Sequence, residues 1–149
     1  MNEVRQKLLK SIDITVSGSD LSNLNWPYIC EYCALSEEFI REFKEEVLWD
    51  DISEFQVLSE DFIREFQNKL YWPHISHCQK FSDEFLLEFS NKINWFWYLN
   101  SKEASFPILM KFIPEWKKMH TEMIKTHHLT DLQREKIKKT IDLKHLFNN

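Results

Sequence analysis

Cys30 and Cys33 form a CxxC pair, and His74, His77 and Cys78 cluster further along the chain. Thiolate and imidazole donors of this kind hold zinc when four of them converge at about 2.0–2.3 Å. Carboxylates suited to acid–base work also come in pairs, Glu37 with Glu38, Glu60 with Asp61 and Asp83 with Glu84. The same acidic pair written three times marks a structural device, because an active site occurs once. His120 and His127 can share a helix face beside His128, and they read as exposed helix histidines. No Ser or Cys has a local base to activate it, and no motif with a mechanism attached is present. No catalytic, cofactor-binding or metal-ligating residue is therefore expected.

The elements that would position these groups are periodic. Trp26, Trp49, Trp72 and Trp95 stand 23 residues apart, and between them LSEEFIREF, LSEDFIREF and FSDEFLLEF repeat one pattern. A fixed period in this range marks a small supersecondary unit that buries its apolar face only by stacking on its neighbours. Ile29, Ile52, Ile75 and Tyr98 follow the tryptophans by three residues, and Ser36, Ser59, Ser82 and Ser105 follow them by ten. Phe39, Phe62, Phe85 and Ile108 come next, followed by Ile40, Ile63, Leu86 and Leu109, then Phe43, Phe66, Phe89 and Phe112. The fourth copy drifts: Pro107 replaces the acids, and Trp116 closes it after 21 residues. That drift suits a capping repeat.

Each unit reads as two helices. The serines are N-caps, whose oxygens accept from orphaned N–H groups, and the acids behind them complement the helix dipole. The helix after Ser36 carries Phe39, Ile40, Phe43 and Val47 on one face, and Arg41, Glu42, Lys44 and Glu45 on the other. A shorter helix begins at Pro27, Asp50 or Pro73 and runs about two turns, presenting Ile29 with Tyr32, Ile52 with Phe55 and Ile75 with Cys78. This phase weakens the zinc reading. If each unit advances by about one helix diameter, ~10 Å, Cys30 and Cys33 lie roughly 20 Å from the cluster two units later. Cys78 takes the place of Tyr32 and Phe55, as a small core residue would.

The expected fold is all-α: a short right- or left-handed α-solenoid of helix-turn-helix repeats with flanking N- and C-terminal helices. Residues 1–149 read as a single domain. Within it, 1–24 form an N-terminal cap segment, 25–95 three 23-residue repeats, 96–116 a degenerate fourth, and 117–149 C-terminal helices. The N-terminal helix draws on Val4, Leu8, Leu9 and Ile12, and Thr130 is the expected cap of a helix starting near Asp131. A single glycine, Gly18, argues against tight hairpins, a P-loop and a dinucleotide fingerprint. No apolar run is long enough for a membrane span, and the N-terminus lacks a signal-peptide core. Three cysteines leave an odd thiol, which favours a reducing, cytoplasmic setting.

Charge divides the chain. Residues 1–101 hold 9 Lys and Arg against 18 Asp and Glu, whereas residues 102–149 hold 10 against 6. The lysines of the basic third, among them Lys117, Lys118, Lys136 and Lys144, are interleaved with acids. They read better as a solvated helix face than as a nucleic-acid footprint.

The unit W-P-x-I-S-x-x-Q-x-L-S-E-x-F-I-R-E-F-x-x-K-[VLI]-x-W, fullest from Trp49 to Trp95, resembles short tandem repeats in uncharacterised proteins of giant DNA viruses. The resemblance covers about Asn25 to Trp95, with a fading copy to Trp116. It implies a viral protein of the host cytoplasm or virion, and it implies no activity.

The leading functional expectation is a non-enzymatic protein-binding or scaffolding module. Solenoids recognise partners through positions that vary while the core holds. Tyr28, Glu31, Tyr32, Glu54, His74, His77 and Lys80 are the varying positions expected to bind a protein partner. The alternative is a self-assembling homo-oligomer or minor virion component closing through Phe96, Trp97 and Tyr98, unless these cap the core. A third reading places nucleic-acid binding on the basic C-terminal helices.

Overall fold

The structure, a computed structural model, describes residues 3–15, 20–102, 104–112, 130–136 and 138–139. It is all-α and of the helical-repeat class, with no strand among the described residues. The elements are α1 (Glu3–Lys10), α2 (Trp26–Tyr32), α3 (Glu37–Glu42), α4 (Trp49–Phe55), α5 (Glu60–Glu65), α6 (Trp72–Cys78), α7 (Asp83–Glu88), α8 (Trp95–Ser101) and α9 (Phe106–Phe112). Two compact units emerge, Met1–Ile75 and Ser76–Asn149, dividing within α6. In the first, α2 packs against α4 and α1 against α3; in the second, α7 packs against α9.

The cap serines act as their spacing predicts. Ser36, Ser59 and Ser82 accept from the backbone N–H of Phe39, Phe62 and Phe85 at 3.1, 3.1 and 3.2 Å. The helices they start are shorter than the apolar stripe suggests, six residues against seven for the helices that begin on tryptophan. Phe43 leaves helical geometry at φ −107°, ψ 27°, and Phe66 and Phe89 do likewise. A turn then brings Val47 back so that its N–H donates to the Phe43 carbonyl at 2.9 Å, and Val47 stays buried. The stripe is real; its last residue is carried by a turn.

The other helices start on the tryptophans themselves, one residue earlier than the prolines and Asp50 suggest. Each indole then ties its own repeat to the end of the one before it. Trp49, Trp72 and Trp95 donate Nε1–H to the carbonyls of Lys44, Gln67 and Ser90, five residues back, at 3.1, 2.9 and 2.9 Å. The Trp49 ring stacks on Phe66 at 5.0 Å, and Trp26 lies 5.5 Å from Phe43. Such aromatic pairs add about 0.5–1.5 kcal/mol beyond area burial.

One expectation about the core fails. Ile29, Ile52 and Ile75 are buried, but Tyr32 and Phe55 are exposed and Cys78 is only half-buried. The inward partner of each isoleucine is the next residue: Cys30, Ser53 or Ser76, all fully buried. In helices of two turns the buried arc centres between adjacent residues, so the position three later faces outward. Polar groups inside this arc are hydrogen-bonded, as burial requires. Ser53 Oγ accepts from the Tyr71 N–H at 2.9 Å and donates to the Trp49 carbonyl at 2.6 Å. Ser76 Oγ accepts from the Asn94 N–H at 2.9 Å, and the Cys30 thiol receives the Leu48 N–H at 3.5 Å. Gln56, also buried, accepts from the Leu35 N–H at 2.9 Å and donates to the carbonyls of Cys30 and Cys33 at 2.7 and 2.9 Å. It closes the C-terminal end of α2, where carbonyls lack intrahelical donors.

The recurring acids link one cap to the next. Glu37 accepts from the Ser59 N–H at 2.7 Å, and Asp83 from the Ser105 hydroxyl at 2.6 Å. Arg41 pairs with Glu65 at 2.8 Å and lies 4.8 Å over the Phe62 ring. At the N-terminal end, α1 buries Leu8 and Leu9 while Val4 is exposed. Arg5 reaches Glu42 and Glu46 at 2.8 Å each and covers the Phe43 ring at 4.8 Å. Asp13 takes φ 59° just after α1, where Ile14 N–H bonds the Leu9 carbonyl at 2.9 Å. Thr130 caps a helical stretch at 131–136, accepting from the Gln133 N–H at 3.3 Å while the Gln133 amide oxygen accepts from the Thr130 N–H at 2.9 Å. Trp116, His120, His127, His128, Lys117, Lys118 and Lys144 lie outside the described residues.

Candidate protein-interaction face

The outward positions of the tryptophan-started helices lie two, five and six residues after each tryptophan. On a helix, residues separated by three or four share a face, so these positions form one stripe. On α2 the stripe is Tyr28, Glu31 and Tyr32. Tyr28 and Tyr32 are 56% and 66% exposed, and their ring centroids are 5.1 Å apart. The Tyr32 hydroxyl donates to the Glu31 carboxylate, which raises the tyrosine pKa above its usual value.

On α4 the same stripe is Asp51, Glu54 and Phe55, with Phe55 44% exposed and Asp50 adjoining. Burial first, then the nearby charges of Glu31, Asp50 and Glu54, push the Asp51 carboxyl above the normal aspartate range; His74 opposes them. His74 Nδ1 lies 3.5 Å from Glu54 Oε2 and 3.5 Å from the Asp50 carbonyl, and its ring meets Tyr71 edge-on at 4.8 Å. Tyr28, Glu31, Tyr32, Glu54 and His74 are thus brought together in the first unit, on and beside the packed pair α2 and α4.

The remaining expected positions belong to the second unit. The exposed His77 ring meets Trp97 edge-on at 5.5 Å, and Lys80 is exposed in the loop after α6. Phe96 and Trp97 are 47% and 45% exposed, with ring centroids 5.6 Å apart. Tyr98 is different: it is buried, stacking on Phe81 at 5.7 Å. Ser101 holds α8 by donating to the His77 carbonyl at 2.8 Å.

Asp50, Asp51 and Phe55 belong to these faces but not to the expected partner-binding positions, and Trp97, expected only as a self-assembly contact, joins them. For Asp51, Phe55 and Trp97 the phase relative to the tryptophans is the available signal, although the apolar side chain of Phe55 suggests the core; Asp50 adjoins the stripe out of phase. Among the described residues no group of three His, Cys, Asp or Glu side chains is arranged to hold a metal ion. No disulfide joins the three cysteines, and burial pushes the Cys30 thiol above its usual pKa. No helix among the described residues is long and apolar enough to cross a membrane. No protein-family model, curated protein or solved structure matches the chain.

Proposed function

We propose that the chain is a non-enzymatic protein-binding or scaffolding module, recognising a protein partner through the outward stripe of its tryptophan-started helices. The observation that carries this reading is the contrast within those helices. Inward positions keep one role from unit to unit, whereas outward positions change and expose tyrosine, phenylalanine and acids together. Aromatic residues outside the core are enriched where proteins meet. The resemblance to tandem repeats of giant DNA viruses supports a viral protein working in the host cytoplasm or the virion.

Charge reversal at Glu31, Glu54 and Lys80 tests the reading through capture of a defined partner from the native cell. Loss of the partner with unchanged circular dichroism and solubility is the expected result. Loss of solubility alone removes the proposal.

Self-assembly is a second reading, favoured by the exposed Phe96 and Trp97 on α8. A monomer mass by light scattering across a hundredfold concentration range removes it.

A further inference from the structure

The chain repeatedly holds cations in one arrangement, a ring face on one side and carboxylates on the other. The Arg5 guanidinium lies 4.8 Å over Phe43 and pairs with Glu42 and Glu46 at 2.8 Å. Arg41 lies 4.8 Å over Phe62 and pairs with Glu65 at 2.8 Å and Glu37 at 3.5 Å. Lys69 lies 5.4 Å from the centroid of Trp49 and pairs with Glu45 at 3.2 Å. Rings attract cations through their negative faces, and carboxylates add direct charge pairing.

The outward stripe of α2 and α4 offers the same ingredients. Tyr28 and Tyr32 present exposed rings, Glu31 sits between them on the helix, and Asp51 and Glu54 lie on the adjoining helix. Among the described residues no Lys or Arg pairs with Glu31, Asp51 or Glu54; the basic group beside them is the imidazole of His74. Carboxylates crowded without a cation repel one another, and a docked cation relieves that repulsion. The exposed Phe55 gives the stripe an apolar element as well.

We infer that the α2 and α4 face docks a cationic peptide segment of a partner protein, bearing Arg or Lys beside apolar residues. Its cations lie over Tyr28 and Tyr32 against Glu31, Asp51 and Glu54, and an apolar side chain covers Phe55. This rests on the protein-binding reading above and supplies the chemistry of the partner.

The test uses the full chain and a fluorescein-labelled peptide of alternating Arg and Leu, read by anisotropy, with a Glu and Leu peptide as counter-probe. Binding of the first peptide alone is expected, weakening as salt rises. Tyr28→Ser with Tyr32→Ser leaves net charge unchanged and is expected to weaken binding about five- to tenfold. Glu31→Lys with Glu54→Lys is expected to weaken it more than about tenfold. Glu38→Lys with Glu84→Lys changes net charge equally at exposed acids outside the face and is expected to matter little, with all variants checked by circular dichroism. Equal loss in this control pair, unchanged binding in the serine pair, or no binding at all overturns the inference. Self-association abolished by the same face variants also overturns it, since a second copy is then the occupant. If the peptide fails but face variants still release a defined captured partner, the protein-binding reading stands and only its cationic chemistry falls.

Discussion

Three and four residues after each tryptophan, the helices of the first three units keep the same work: an isoleucine in the core and a small group receiving a backbone N–H. Two, five and six residues after it, the same helices carry Tyr, Glu and Tyr in the first unit, Asp, Glu and Phe in the second, and two histidines and Cys78 in the third. Neighbouring positions on one two-turn helix thus obey opposite rules. The inward set is held by close packing and by the cost of burying an unpaired N–H; the outward set is free of both constraints. The acids divide the same way. Burial pushes the Glu37 carboxyl up, but its hydrogen bonds from Ser59 and the charge of Arg41 outweigh that, leaving it below the usual range. Asp51, partly buried and crowded by other acids, stands above it.

The contrast breaks most plainly in the core. Phe62 is fully buried between Trp49, Phe66 and the Arg41 guanidinium. Phe62→Ala is expected to destabilise the chain by about 3–5 kcal/mol, the range for truncating a buried phenylalanine. Tyr32→Ser, equally an aromatic truncation but outward, is expected within about 0.5 kcal/mol of the parent. Urea unfolding measures both, and comparable losses would erase the distinction between the two sides.

The polar layer comes next in size. Gln56→Leu keeps the volume but strands the Leu35 N–H and the Cys30 and Cys33 carbonyls, so a loss on the order of 3 kcal/mol is expected. Ser53→Ala removes one acceptor from the Tyr71 N–H and is expected to cost about 1–2 kcal/mol. Ser53→Cys tests whether Cys30 shows the minimum the site needs; it is expected to recover part of that loss in the same unfolding curves.

How far these layers can be read from the residues alone follows from their physics. The tryptophan period, the cap serines and the Phe39, Ile40 and Phe43 stripe are legible because local spacing determines them. The reach of α3 is not legible, since the stripe continues to Val47 while the backbone leaves the helix at Phe43. Apolar character alone suggests the core for Phe55, and a two-turn helix has too few residues for periodicity to overrule that. The outward phase itself was legible for Tyr28, Glu31, Tyr32, Glu54 and His74. The joining of Asp51 to Glu31 was not, because it depends on how α2 and α4 pack.

A smaller effect sharpens the division among the acids. The Glu37 carboxyl is lowered in the folded state, so it contributes stability above the usual glutamate pKa, and loses it as pH falls through the lowered value. Glu37→Gln is expected to cost about 0.5 kcal/mol at neutral pH, modest because the pair with Arg41 is solvent-screened. The gap to the parent is expected to close as both are titrated into acid. A gap independent of pH would assign the effect to shape instead of charge.

Asp51 gives the opposite sign and the smallest shift. Its folded pKa is raised, so any favourable contribution is fully present below the unfolded value and disappears as pH rises through the folded one. At neutral pH the ionised group is held partly buried and against Glu31, Asp50 and Glu54, at a cost. Asp51→Asn removes that charge with little change of shape, so a rise in Tm on the order of 2 °C is expected at neutral pH. The gain should shrink as pH falls and Asp51 protonates in the parent. Stability and recognition then pull apart at one residue, because the same substitution removes a carboxylate from the face inferred to bind cations. Thermal melts across pH decide the first half, and weaker binding of the Arg and Leu peptide decides the second. A variant that is destabilised at neutral pH would show that Asp51 belongs with Glu37, among the acids that hold the repeats together.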